Sequence, residues 1–168
     1  MKECEKVLEK WLSDAYTMEK SIAGTLRGHA DDARDTMLDL AMKLEEHAKG
    51  TEDQAEKIKN ALEDLGGDIS ELKVGASEVM GILEGKMSLG DDKVVRNTIM
   101  EHAVEHFEMA TYMAIARAAR LCDHEEIAEL AEEIMEEEKE TGKMFADELN
   151  QVVEEYISSK NEEASEEE

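Results

Sequence analysis

No proline interrupts the 168 residues of this chain, and apolar residues recur along four long stretches at alternating intervals of three and four. A proline inside a helix removes a backbone hydrogen bond and clashes with the preceding turn, at a cost of ~3 kcal/mol. A proline-free chain with this period is open to long, unbroken helices. The first stretch, about Glu5 to Arg27, puts Leu8, Trp11/Leu12, Ala15, Ile22 and Leu26 on one face. The second, about Asp35 to Leu65, puts Leu40/Ala41, Leu44, Ala48, Ala55, Ile58 and Leu62 there. The third, about Asp92 to Leu121, reads Val95, Ile99, Ala103, Met109/Ala110, Met113 and Ala116. The fourth, about Glu125 to Ile157, reads Ile127, Leu130/Ala131, Ile134, Phe145, Leu149 and Val152/Val153. Helix formers dominate and strand-type alternation of β-branched residues is absent, so an all-α fold is expected.

The connections order these helices. Gly28 and the polar run to Asp35 are expected to make one short turn, and Cys122-Asp123-His124 another. Short turns join antiparallel neighbours. Gly66-Gly67 stops the second helix. Residues 68–93 form the longest connection, with a short helix expected from Val74 to Leu83. A connection of that length can cross a four-helix bundle from end to end, which leaves the second and third helices parallel. One domain is expected over residues 1–157, followed by an acidic, disordered tail at 158–168.

Forty-four acids against 19 bases give a formal charge of −25. A surface of that sign argues against nucleic-acid or anionic-membrane partners. No run of 18 apolar residues and no secretory leader is present, and Cys4 and Cys122 lack a CxxC arrangement. A cytoplasmic protein with two thiols is the expectation. The 11 methionines fall at helical spacing and read as core filler.

Against this background a few polar residues stand where the periodicity asks for apolar ones. Glu19 lies one turn from Ala15 and Ile22. His47 lies between Leu44 and Thr51. Glu105 and His106 are adjacent in the third helix, and Glu138 follows Ile134. Burying a charge is costly unless it is paired, hydrogen-bonded or bound to a metal. One inward acid or imidazole on each of four helices is the donor pattern of a carboxylate metal site, suited to iron or manganese. A small drift in helix phase decides whether Glu105 or His106 points inward. Thr51, Gln54 and Tyr112 are candidates to orient the histidines. His102 and His106, one turn apart, could also hold one zinc ion. The competing reading makes these residues hydrogen-bonded core groups or acids at the edge of a solvated face.

The segments DAYTMEK (14–20), HAKGTEDQ (47–54), ASEVMGILEG (76–85), VEHFEMATYMAIARAARL (104–121) and EEEKETGKMF (136–145) together resemble the YciE/YciF-like family of the ferritin-like superfamily. The resemblance implies a ferritin-like four-helix bundle, with a long crossover containing a short helix between helices 2 and 3. It implies a mono- or dinuclear Fe or Mn centre held by Glu19, His47, Glu105, His106 and Glu138. It further implies handling of O2 or peroxide in a stress response. A homodimer is expected separately, with Trp11 and methionine-rich surfaces lining its face. The chain departs from the family pattern at Gly50 and Gly142, where carboxylates are expected. Those departures support an alternative: a metal-free structural or dimeric interaction protein that has lost the dinuclear site.

Overall fold

In a computed structural model of the chain, residues 3–69 and 92–166 are described. They form four helices: α1 Glu3–Ala33, α2 Leu38–Asp64, α3 Lys93–Leu121 and α4 Glu125–Glu166. No strand occurs among them. The short helix expected between Val74 and Leu83 lies outside the described residues. Among the described residues no helix is long and apolar enough to cross a membrane.

Helix α1 does not stop at Gly28. Its buried stripe of Leu8, Leu12, Ala15, Ile22 and Leu26 continues through His29, Ala30 and Ala33. A helical glycine costs ~1 kcal/mol, less than the burial that the next turn gains. The turn falls instead at residues 34–37, with the Met37 amide donating to the Ala33 carbonyl at 2.7 Å. Helix α2 ends where its glycines stand. Gly66 has a φ of +94°, a left-handed conformation that only glycine adopts at no steric cost. A Cβ on Gly67 would lie 2.4 Å from Leu62 Cδ1, so the chain leaves the helix too close to it for any side chain. The Asp92 side chain caps α3 by accepting from the Val95 amide at 2.8 Å.

Helix α4 runs 42 residues, about 63 Å at the usual rise. Residues 158–165 continue it as exposed turns where the sequence reading expects a disordered tail. No glycine or proline follows Gly142 to end it, and Lys160 pairs with Glu163 one turn on at 2.8 Å.

Cross-helix contacts set the topology. Arg27 with Glu52 and Arg34 with Glu45 run α1 antiparallel to α2. Glu19 with Tyr112, His29 with Glu101 and Asp32 with Asn97 run α1 antiparallel to α3. Lys43 with Glu148 and Lys57 with Glu133 run α2 antiparallel to α4. Helices α2 and α3 are therefore parallel. The end of α2 and the start of α3 thus lie at opposite ends of the bundle, in keeping with the crossover arrangement expected from the sequence.

The inner face of α3 differs from the expected one. Met100, Glu101, Val104, Glu105, Glu108, Tyr112, Ile115 and Ala119 are buried, and Met113 is 60% exposed. The face is turned by about one residue, roughly 100°. Three glutamates on the buried side leave almost no hydrophobic contrast between the two faces, so periodicity cannot fix the phase.

Candidate metal centre

The site is built on α3. Glu101, Glu105, Glu108 and Tyr112, spaced four, three and four apart, form one buried stripe along the helix. Each neighbouring helix contributes to it: α1 brings Glu19, α2 brings His47 and Gln54, and α4 brings Glu138. All five acids, Glu19, Glu101, Glu105, Glu108 and Glu138, are fully buried, as is Tyr112. His47 Nε2 lies 2.9 Å from Glu105 Oε1. One donor atom from each of His47, Glu105 and Glu138 falls within 4.8 Å of the others. The Glu105 and Glu138 carboxyls lie close to each other, as do those of Glu19 and Glu108.

The supporting groups hold the acids more than the histidine. Tyr112 donates its hydroxyl to Glu19 Oε1. Gln54 Nε2 donates to Glu138 Oε1 at 2.5 Å and to Glu137 Oε2 at 2.8 Å. Thr51 donates to the His47 main-chain carbonyl rather than to its ring. The His47 ring is fixed edge-on by Phe145, with centroids 5.8 Å apart.

The electrostatics are lopsided. No lysine or arginine is buried among the described residues, so nothing cationic of the protein's own balances these acids. Burial pushes Glu19 up to about 8, with Tyr112 opposing and Glu138 adding to the rise. Burial likewise raises Glu105 and Glu108 well above the carboxylate range, reinforced by the neighbouring acids. Glu138 is raised by burial, while Glu105 and Gln54 work the other way. Burial lowers His47 to about 4, so its imidazole is neutral at physiological pH and keeps a lone pair for a metal. One oxygen on each of Glu19, Glu101, Glu105, Glu108 and Glu138 is buried with no hydrogen-bond partner. Five orphaned carboxylate oxygens beside a neutral imidazole fit a first-row cation, which takes oxygen and nitrogen donors and cancels the excess charge.

Of the residues expected from the sequence, Glu19, His47, Glu105 and Glu138 come together. His106 does not: it is exposed, with Nδ1 3.0 Å from the His102 carbonyl oxygen of its own helix. The inward member of the 105–106 pair is Glu105. Glu101, Glu108 and His29 were not foreseen. Glu101 and His29 pair at one end of the stripe. The four-three-four spacing of Glu101, Glu105, Glu108 and Tyr112 is legible in EHAVEHFEMATY. A helix face carrying three acids ordinarily faces water, and that expectation hides the signal.

The family model described as a domain of unknown function, DUF892, matches residues 3–158. The chain belongs to the DUF892 family. It is 30% identical over 152 residues to the protein YciF of Escherichia coli K12, which covers 84% of this chain and 87% of YciF. A crystal structure of a Xanthomonas campestris pv. campestris protein superposes with a TM-score of 0.81 at 26% identity, over 95% of this chain and 99% of that one. A Desulfovibrio desulfuricans bacterioferritin, described by its diiron site in different catalytic states, shares the fold. Its TM-score is 0.73 at 17% identity, over 90% of this chain and 83% of the bacterioferritin. The YciF resemblance and the ferritin-like bundle read from the sequence thus both hold.

The two glycines of this DUF892 chain are not equivalent. Gly50 is exposed and a Cβ there would meet nothing within 4 Å. A side chain at that position would face away from the cluster, so glycine there takes no ligand from it. Gly142 is buried, and its Cβ would lie 3.5 Å from Glu105 Cβ. Only there does glycine leave room beside a candidate ligand. Neither position is needed for close helix approach, because both have space for a methyl group.

Proposed function

We propose that this protein binds iron or manganese inside the bundle, in a mono- or dinuclear centre, and that the loaded centre handles O2 or peroxide under stress. The observation that carries the reading is the set of orphaned, fully buried carboxylate oxygens around neutral His47, with no buried lysine or arginine among the described residues. His47, Glu105 and Glu138 would be ligands from three helices, with Glu19 and Glu108 as further carboxylates. Such a metal supplies Lewis acidity and a one-electron couple. The chain's own residues prepare the site for it. Gln54 fixes one Glu138 oxygen, Tyr112 fixes one Glu19 oxygen, and Phe145 holds the His47 ring. Ile22, Ile58 and Ile134, all buried, belong to the apolar core that keeps bulk water out of the bundle. The stress role is supported by the relative described as the E. coli stress protein YciF.

Glu138→Gln keeps the shape and the Gln54 neighbour but removes a charged ligand. After anaerobic Fe(II) reconstitution, the bound iron per chain is expected to fall well below the wild-type value with the helical circular dichroism unchanged. Iron content equal to wild type would remove Glu138 from the site.

One observation favours the metal-free alternative. The carboxyls approach in pairs, Glu105 with Glu138 and Glu19 with Glu108, so a protonated cluster can share its protons without a cation. In either reading a cytoplasmic homodimer is the proposed form, with exposed Trp11, Phe107 and Met113 as apolar contact surface. Sedimentation equilibrium at micromolar concentration is expected to give twice the chain mass of 18.8 kDa; a single-chain mass would refute the dimer.

A further inference from the structure

His102 and His106 stand one turn apart on the outer side of α3, and the buried centre uses neither. His102 Nδ1 lies 2.9 Å from the carbonyl oxygen of Gly142 on α4. His106 Nδ1 lies 3.0 Å from the carbonyl oxygen of His102. A carbonyl oxygen can only accept, so each Nδ1 must carry the hydrogen and donate it. A neutral imidazole protonated at Nδ1 keeps its lone pair on Nε2. Two rings, each anchored through Nδ1 to the backbone, therefore offer two Nε2 lone pairs.

The rings are 4.7 Å apart between centroids and near perpendicular, at 70°. Their order comes from main-chain anchors rather than from a ligand, so a cation binding between them would have little side-chain entropy to remove. His106 is exposed, which gives an ion access from solvent. Gly142 lies between the histidine pair and the buried centre. A Cβ at that position would sit 3.8 Å from His106 Cε1 on one side and 3.5 Å from Glu105 Cβ on the other. The histidine pair and the buried ligand Glu105 are thus separated by one residue's width of bundle wall.

We propose that His102 and His106 form a second, external cation site that takes a borderline divalent ion of the Zn(II), Ni(II) or Cu(II) class through both Nε2 atoms. Imidazole nitrogen suits these ions, and water completes their coordination. The all-nitrogen pair differs in donor chemistry from the carboxylate-rich centre, and the proposal stands independently of whether that centre binds iron or manganese.

The test is a Zn(II) titration of the Glu138→Gln chain, and of that chain carrying His106→Gln as well, followed by calorimetry and by histidine side-chain 15N spectra. His106 is exposed and its ring meets only the half-buried His102 ring, a helix backbone and Gly142, so His106→Gln is expected to leave the fold intact by circular dichroism. Before zinc, the spectra are expected to show both His102 and His106 protonated at Nδ1. Zinc is expected to shift their Nε2 resonances, and the affinity is expected to fall roughly tenfold or more in the His106→Gln chain, as even loss of a supporting contact costs that much. Equal affinity in the two chains, no zinc binding in the Glu138→Gln chain, or zinc shifts confined to His29, His47 and His124 would each overturn the proposal.

Discussion

Chelated protein carrying Glu108→Leu is expected to be more stable than chelated wild type near neutral pH, by about 1–4 kcal/mol. Glu108 is fully buried, one of its oxygens has no partner, and its carboxyl is pushed far above its ordinary range by burial and by Glu19, Glu105 and Glu138. Ionising it in place is unfavourable, and keeping it protonated at neutral pH costs free energy against the unfolded chain. Leucine removes that penalty and fills a similar volume. The same change should weaken metal binding, because it deletes a carboxylate from the cluster. Urea unfolding with and without chelator measures both effects. If the leucine chain is less stable than wild type when both are chelated, Glu108 is held by hydrogen bonds that outweigh its burial cost, and the strain argument fails. A protein that gives up stability at a site in this way retains the acid for what it binds.

Metal-free protein is also expected to lose stability as the pH rises from about 5 to 8. Glu19 is raised from an ordinary 4.5 to about 8. A group whose folded value is raised contributes fully below its unfolded value, and that contribution is lost as the pH rises through the folded value. For Glu19 alone the loss is on the order of 4 kcal/mol across that span. Glu105, Glu108 and Glu138 move in the same direction. His47 opposes this at the acid end. Its value is lowered from 6.5 to about 4, so the stability it confers is present above 6.5 and is lost as the pH falls through 4. The chelated protein should therefore be most stable on the acid side of neutrality. Bound metal should reverse the slope between pH 5 and 8, because a cation displaces the protons and binds more tightly as they become easier to remove. Melting temperatures at pH 5, 6, 7 and 8, with chelator and with Fe(II) under anaerobic conditions, decide it. A flat or rising profile in chelator would show that the cluster carries its charge without cost.

Much of the chemistry was legible along the chain. Glu19, His47 and Glu138 stand out because their neighbours one turn away, Ala15 and Ile22, Leu44, and Ile134, are apolar. A single acid breaking an apolar stripe is visible from local contrast. The same logic failed on α3. There Glu101, Glu105 and Glu108 occupy the inner face together, so the acids form the stripe and no apolar neighbours mark them as misplaced. The pattern alone therefore leaves open which of Glu105 and His106 faces inward, and hides Glu101 and Glu108. Helix ends were misjudged for a related reason. Gly28 and the polar residues after Ile157 suggest stops, but neither carries a backbone conformation that ends a helix. Gly66, with its positive φ, does.

The sequence by itself determined that the chain is helical, how the helices are divided and which end pairs are joined by short turns. Those properties follow from period, from the absence of proline and from glycine chemistry, all of which act within a few residues. It also pointed to acids and imidazole in the interior, because those residues interrupt apolar faces, without deciding between that and the edge of a solvated face. Only the tertiary structure decided which acids meet. The parallel course of α2 and α3 brings His47 beside Glu105, and the antiparallel packing of α4 on α2 brings Glu138 to Gln54. The rotation of α3 about its axis, which buries Met100, Val104, Tyr112 and Ile115, turns Glu105 inward and leaves His106 outside. A rotation of one residue changes little in the hydrophobic pattern of that helix, but it changes every contact at the site.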